Sequence, residues 1–187
     1  MTFKARSGQG LMETIVALGV IMTGLIAVVS LTISNLNGER EAAIRYQAMN
    51  LAREALELVR NQRDSNWLAG RETWIGITSG PHALQFSPLT AAVSLVPVAG
   101  DNEQVNQCAD SGGFAQGDAS CTQATRFSRT ITVVEKNCVE LFPAPSTACE
   151  ALIKPDPMAR QIAVRVSWNQ SGAPRQVILE TTMYDWK

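Results

Sequence analysis

SGQGLMETIVALGVIMTGLIAVVSL, residues 7–31, is apolar along nearly its whole length yet carries one acid, Glu13. From Thr14 to Gly38 no residue is charged. As a helix, that segment would measure about 37 Å at ~1.5 Å per residue, enough to cross a hydrocarbon core of roughly 30 Å. The chain of 187 residues holds no second run of this kind, so it offers a single span. A secretory signal peptide has an apolar core of only about 7–15 residues and ends in a small-residue cleavage site. This run is longer and passes into SNLNGER, which is a poor cleavage context. A plain signal anchor would leave Lys4 and Arg6 in the cytoplasm and export everything after Gly38. Neither reading explains Glu13. A lone acid in lipid costs about 2.5 kcal/mol or more at the membrane centre and less near the interface.

Toward the C-terminus the apolar run continues into NGEREAAIRYQAMNLAREALELVRNQRDSNW with no proline before Pro81. Ile44, Ala48, Leu51, Ala52, Ala55, Leu58 and Val59 recur at spacings of three and four, which predicts one face of an amphipathic helix. Glu41, Arg45, Arg53, Glu57 and Arg60 fall on the opposite face. Glu41/Arg45 and Arg53/Glu57 stand four apart and can pair across a turn. The simplest arrangement is one helix from about Gln9 to Arg63, greasy all round in its first half and one-sided in its second. Gly38 is the place where it would loosen.

After Asp64 the helical period disappears. Trp67 and Trp74 are expected to anchor the start of a separate fold. HALQF and AAVSLVPV read as short strands, and Asp101–Ser120 as an exposed loop. The clearest β signal comes last. In RFSRTITVVE, Phe127, Arg129, Ile131 and Val133 share a face; in QIAVRVSW, Ile162, Val164, Val166 and Trp168 do. In RQVILETTMYDW, Val177, Leu179, Thr181 and Met183 alternate with Ile178, Glu180 and Thr182. NQSGAP, between the last two runs, is a turn. An antiparallel sheet of at least three strands results, and its apolar face needs a cover. The one-sided helix supplies it, leaving the apolar first half to project. The fold class is α+β.

Composition narrows the chemistry. The net charge of −1 and a hydrophobic share of 45% suit one globular domain with an appended apolar segment. From Asp64 onward there are 9 basic and 12 acidic residues, net −3, with no basic stripe, so nucleic acid is not an expected partner. Four cysteines, Cys108, Cys121, Cys138 and Cys149, all lie outside the apolar run. An even count in an exported domain reads as two disulfides with three possible pairings. Proximity in sequence favours Cys108–Cys121 and Cys138–Cys149. There is no CxxC and His82 is the only histidine, so no metal site is expected. The loop acids Asp101, Glu103, Asp110 and Asp118 lack the alternating oxygen pattern of an EF-hand. A lone loop histidine with no Gly-x-Ser-x-Gly motif supplies no hydrolase site, and no phosphate-binding glycine loop occurs. Neither a catalytic residue nor a cofactor is expected, and the chain is not read as an enzyme.

The N-terminus carries the most specific pattern: Lys4 and Arg6, then Gly8, then an apolar helix with Glu13 five residues after the glycine. Residues 1–35 resemble the type IV prepilin family, which comprises type IV pilins and the pseudopilins of type II secretion. In register with that family, MTFKARSG is the leader and QGLMETIVALGVI the mature start. The resemblance implies cleavage by a prepilin peptidase between Gly8 and Gln9, and N-methylation of Gln9. Gln9 stands where the family usually has Phe or Met, and the apolar half lacks the proline that major pilins often carry. NLAREALELVRNQRDSNW, RFSRTITV, VRVSW and the terminal ETTMYDW are similar to minor pilins and pseudopilins, in which a β-sheet head packs on the second half of the helix. The segment Gly76–Ser120 carries no resemblance.

The resemblance implies residues 1–8 as basic leader, 9–38 as a transmembrane and filament-core helix, 39–63 as an amphipathic helix continuing into the head, and 64–187 as an extracellular β-rich head. It implies a subunit that enters or primes a pilus-like filament for adhesion or secretion. Its partners would be the peptidase, other pilin subunits, the inner-membrane assembly machinery and the membrane itself. Before assembly it would span the bacterial inner membrane once with its N-terminus in the cytoplasm; afterwards it would be extracellular. Glu13 would pair with the N-terminal amine of a neighbouring subunit, setting register more than stability. Ala17, Gly19, Gly24, Ala27 and Ser30 would let such helices approach closely. The competing reading is a membrane-anchored binding module whose Cys108–Cys121 loop recognises a surface ligand.

Overall fold

A computed structural model of the chain describes residues 9–87, 92–100, 102–108, 114–116, 121–136, 159–170 and 172–185. It contains one helix, α1 (Gln9–Leu68), and seven strands: β1 (Gly80–Ser87), β2 (Ala92–Pro97), β3 (Gln104–Gln107), β4 (Phe114–Ala115), β5 (Gln123–Lys136), β6 (Ala159–Gln170) and β7 (Ala173–Tyr184). The class is α+β, a long N-terminal helix followed by an antiparallel sheet. The chain divides into two compact units, Met1–Arg45 and Tyr46–Lys187.

In the first unit α1 runs through Gly38 without interruption. Its side chains from Gly10 onward are exposed on every face as far as Ala43. The second unit begins inside the helix. There Ala48, Leu51, Ala52, Ala55 and Val59 are buried, while Arg53, Glu57 and Arg60 stay exposed. The predicted apolar stripe is therefore the buried face. Glu57 takes Arg60 as its ion-pair partner, at 2.6 Å, rather than Arg53.

The helix continues five residues past the expected end at Arg63. It closes at Gly70, whose φ of 67° is left-handed. Gly70 N–H donates to the Trp67 carbonyl and Arg71 N–H to that of Asn66. These are the paired bonds of a Schellman cap, which satisfy carbonyls the last turn leaves open. The Asn66 carboxamide then donates to the carbonyls of Thr73 and Ile75, tying the exit chain to the helix end. Of the two expected anchors only Trp74 is buried; Trp67 rides on the extended helix, half exposed.

The sheet is organised by β5. One edge pairs with β6 over ten positions, from Phe127↔Trp168 to Lys136↔Ala159. Its other edge is shared, by β3 along Gln123–Ser128 and by β1 along Ile131–Val133. β2 pairs with β1, β4 with β3, and β7 with β6. The inward faces of β5, β6 and β7 are those the alternation predicts, with Phe127, Ile131, Val133, Ile162, Val164, Val166, Trp168, Val177 and Met183 buried. Phe127 and Trp168 meet edge to face with centroids 6.1 Å apart, a geometry worth about 0.5–1.5 kcal/mol beyond its buried area. The NQSGAP turn is tighter than expected. Gln170 pairs with Ala173, and Gly172 between them supplies a φ of 80°.

The reading of Asp101–Ser120 as an exposed loop is corrected. β3 and β4 fall inside it, and Val105 and Gln116 are fully buried. A four-residue and a two-residue strand are too short to leave a period in the sequence.

Candidate functional site

The most unusual surface belongs to the first unit. Fifteen large apolar side chains between Leu11 and Leu36 are exposed, from Leu36 at 49% to Met12 at 67%. Leaving them in water forgoes on the order of 20 kcal/mol of burial. Large contiguous apolar surface of this kind marks a membrane or partner interface. Among the described residues α1 is the one helix long and apolar enough to cross a membrane. Its polar groups are largely silenced from within. The hydroxyls of Thr14, Thr23 and Thr32 donate to the carbonyls of Leu11, Val20 and Val28, each at 2.9 Å. Such back-bonding satisfies these three hydroxyl donors within the helix, as an apolar medium demands.

Glu13 is the one charged residue from Gln9 to Gly38. It is exposed, one helical turn after Gln9, and has no hydrogen-bond or ion-pair partner among the described residues. Gln9 opens the helix. Gly8 and the rest of the basic leader lie outside the described residues, as do Cys138 and Cys149. Cys108 and Cys121 are brought together as a disulfide between the end of β3 and the start of β5. Their separation of 13 positions, with β4 inside, makes the bridge a staple on the β3–β5 pairing.

His82 is not a loop residue. It sits buried in β1, opposite Ile131. Nδ1 lies 2.9 Å from the Gly80 carbonyl and Nε2 2.9 Å from the Thr78 hydroxyl. The carbonyl can only accept, so Nδ1–H donates to it, while Nε2 and the Thr78 hydroxyl share the second hydrogen bond. Both nitrogens are used structurally. The Glu103 carboxylate likewise accepts from the Thr130 hydroxyl.

Two buried arginines were not singled out from sequence. Arg129 occupies an inward position of β5 and is 1% exposed. Its Nε donates to Gln116 Oε1 at 2.7 Å, and its Nη1 to the Leu51 carbonyl and to Glu54 Oε2, both at 3.1 Å. Loss of water lowers the Arg129 pKa, opposed by the charge and hydrogen bond of Glu54. The Gln116 amide nitrogen donates to the carbonyls of Asn102, Glu103 and Arg129. Only one amide orientation satisfies this, with the nitrogen toward three carbonyls and the oxygen toward the guanidinium. A charge on an otherwise apolar strand face was the signal for this network.

Arg160, at the start of β6, pairs with Glu135 at 2.9 Å and lies over the Trp74 ring, 5.0 Å from its centroid. Burial lowers its pKa, with the charges of Glu135 and Glu72 opposing. Arg160 Nε and Nη1 and Trp74 Nε1 are buried without hydrogen-bond partners, so the cation–π stack is a principal compensation there. A cavity of about 400 Å³ lies nearby in sequence, lined by Arg63, Asp64, Trp67, Leu68 and Thr73.

Comparison of the chain with protein-family models, with curated proteins and with solved structures found no match.

Proposed function

We propose that this chain is a prepilin-like structural subunit, of the minor pilin or pseudopilin type, that enters or primes a type IV pilus-like filament. The observation that carries the reading is Glu13: an exposed carboxylate without a partner among the described residues, on a helix segment otherwise apolar on every face. Its place five residues after Gly8 gives it a partner in kind. Cleavage between Gly8 and Gln9 creates an amine one helical turn away, and in a bundle of such helices the amine of one subunit meets the acid of the next. The new amine is the methylation site. The apolar surface lies in the inner membrane before assembly and against other subunits afterwards, with the β-sheet head outside.

The test is co-expression with and without a prepilin peptidase, followed by intact-mass measurement. The peptidase should yield a product beginning at Gln9; any other start would remove the cleavage step. Glu13→Ala should then be processed but fail to enter filaments, and normal incorporation would refute the pairing role.

A second reading, a membrane-anchored binding module, is favoured by one feature, the cavity beside the half-exposed Trp67. Recovery of the protein only in membranes, and never in sheared surface filaments, would select it.

A further inference from the structure

A guanidinium carries five N–H donors, and Arg129 uses three of them. Nε donates to Gln116, and Nη1 gives its two to the Leu51 carbonyl and to Glu54 Oε2. Both N–H groups of Nη2 are without an acceptor among the described residues. Unlike the orphaned donors of Arg160, this atom is not sealed in protein. The open space that Arg129 borders is a cavity of about 120 Å³. Leu58, Leu84, Val93 and Phe114 give it apolar walls, and Glu54 also lines it. The Glu54 side chain is 46% exposed, so the cavity reaches the surface there. Glu54 meets Nη1 through Oε2, and its Oε1 has no partner among the described residues. Because Nη1 and Oε2 are bonded to each other, an unused donor and an unused acceptor flank one ion pair.

These features specify an occupant. The pair is neutral as a whole: an added carboxylate would face Glu54, and an added cation would face Arg129. A neutral group that accepts and donates on the same side satisfies both. A primary carboxamide does so through its carbonyl oxygen and its syn N–H. Gln116 already places this group on the Nε side of the same guanidinium. Size agrees. At ~30 Å³ per water the cavity holds about four waters, which matches the four heavy atoms of an asparagine side chain. Pockets that enclose a whole small ligand run to about 300–1,000 Å³, so this one takes a single group of something larger. We propose that the cavity is a recognition pocket for an asparagine side chain of a protein partner, its carbonyl accepting from Arg129 Nη2 and its N–H donating to Glu54 Oε1. The inference is independent of the filament reading.

The experiment is an NMR titration of the full chain in detergent micelles, with isotope-labelled arginine nitrogens. It reads the Arg129 Nε–H resonance, assigned by its loss in Arg129→Met. The probes are acetamide, acetate and N-acetylasparagine N-methylamide. Acetamide should give a saturable shift with a Kd of roughly 10 mM, within the range that four heavy atoms allow. Acetate, which faces Glu54, should bind about ten-fold more weakly. The blocked asparagine should bind at least as tightly as acetamide. Glu54→Gln keeps an acceptor for Nη1 and turns the open oxygen into an amide donor. It should therefore reverse the order and make acetate the tighter ligand. No saturable shift with acetamide would leave the cavity to water and overturn the pocket. Acetamide binding without binding of the blocked asparagine would make this a site for free small amides and overturn the protein partner. Equal binding of acetate and acetamide, or an unchanged order in Glu54→Gln, would overturn the roles given to Nη2 and Oε1.

Discussion

Arg129→Met keeps most of the side-chain stem and removes the guanidinium, so it isolates the cation from its packing. Three partners lose a donor. The Leu51 carbonyl keeps the helix's own bond, and Glu54, whose side chain is 46% exposed, rehydrates at little cost. Gln116 Oε1 is the one left buried without a donor, a loss of about 1–3 kcal/mol. Against this, a cation no longer has to be held out of water. The expected net loss is about 2 kcal/mol. For a unit of this size, at roughly 4 °C per kcal/mol, Tm falls by about 8 °C. The assay is thermal unfolding of the full chain in micelles, followed by the fluorescence of the buried Trp74 and Trp168. A companion change, Glu54→Gln, should cost about 1 kcal/mol with Arg129 present, discounted for the exposure of the carboxylate, and close to nothing in Arg129→Met. Were Arg129→Met to leave Tm unchanged or raise it, the orphaned Gln116 acceptor would not control the balance. Equal costs for Glu54→Gln in both backgrounds would remove the ion pair from the account.

Cys108→Ser/Cys121→Ser should lower stability by about 3 kcal/mol from loop entropy, measured as a fall of the urea midpoint with a slope that rises as the unfolded chain expands. Ile131→Ala, at a fully buried position between β1 and β6, should cost about 2–5 kcal/mol by the same titration; a loss under 1 kcal/mol would mean the inward face of β5 is not close-packed. Leu25→Arg, near the middle of the apolar segment, adds about 3 kcal/mol to insertion. It should increase the carbonate-extractable share of the protein several-fold, and unchanged extraction would argue against a span.

Elements with a long period were legible in the sequence. The α1 stripe from Ala48 to Val59 and the inward faces of β5, β6 and β7 follow from spacing alone, because each repeats its pattern several times. The helix end was misplaced because Arg63 looked like a boundary by composition, while the stop signal is a single Gly70 set by backbone conformation. β3 and β4 were invisible because their strand identity comes from pairing with β5 and with each other. His82 was misread for a related reason: its two partners, Thr78 and Gly80, are close in sequence but are brought to it only by the chain's entry into β1. At the apolar helix Glu13 stood out at once, since one acid in a charge-free run needs no tertiary context. Arg129 was visible as a residue on the correct face but not as a network, because its partners lie 13, 75 and 78 positions away.

The arrangement of β5 also sets an order in time. It is bordered on one side by strands already made, β1 and β3, and on the other by β6, which comes after it and is itself completed by β7. Non-local pairing of this kind closes slowly and leaves edges open until the last partner arrives. On the ribosome, the helix can form as soon as it emerges, whereas the sheet is missing one whole side until residue 184 is free. Whatever environment receives the apolar helix therefore receives it before the head has finished folding.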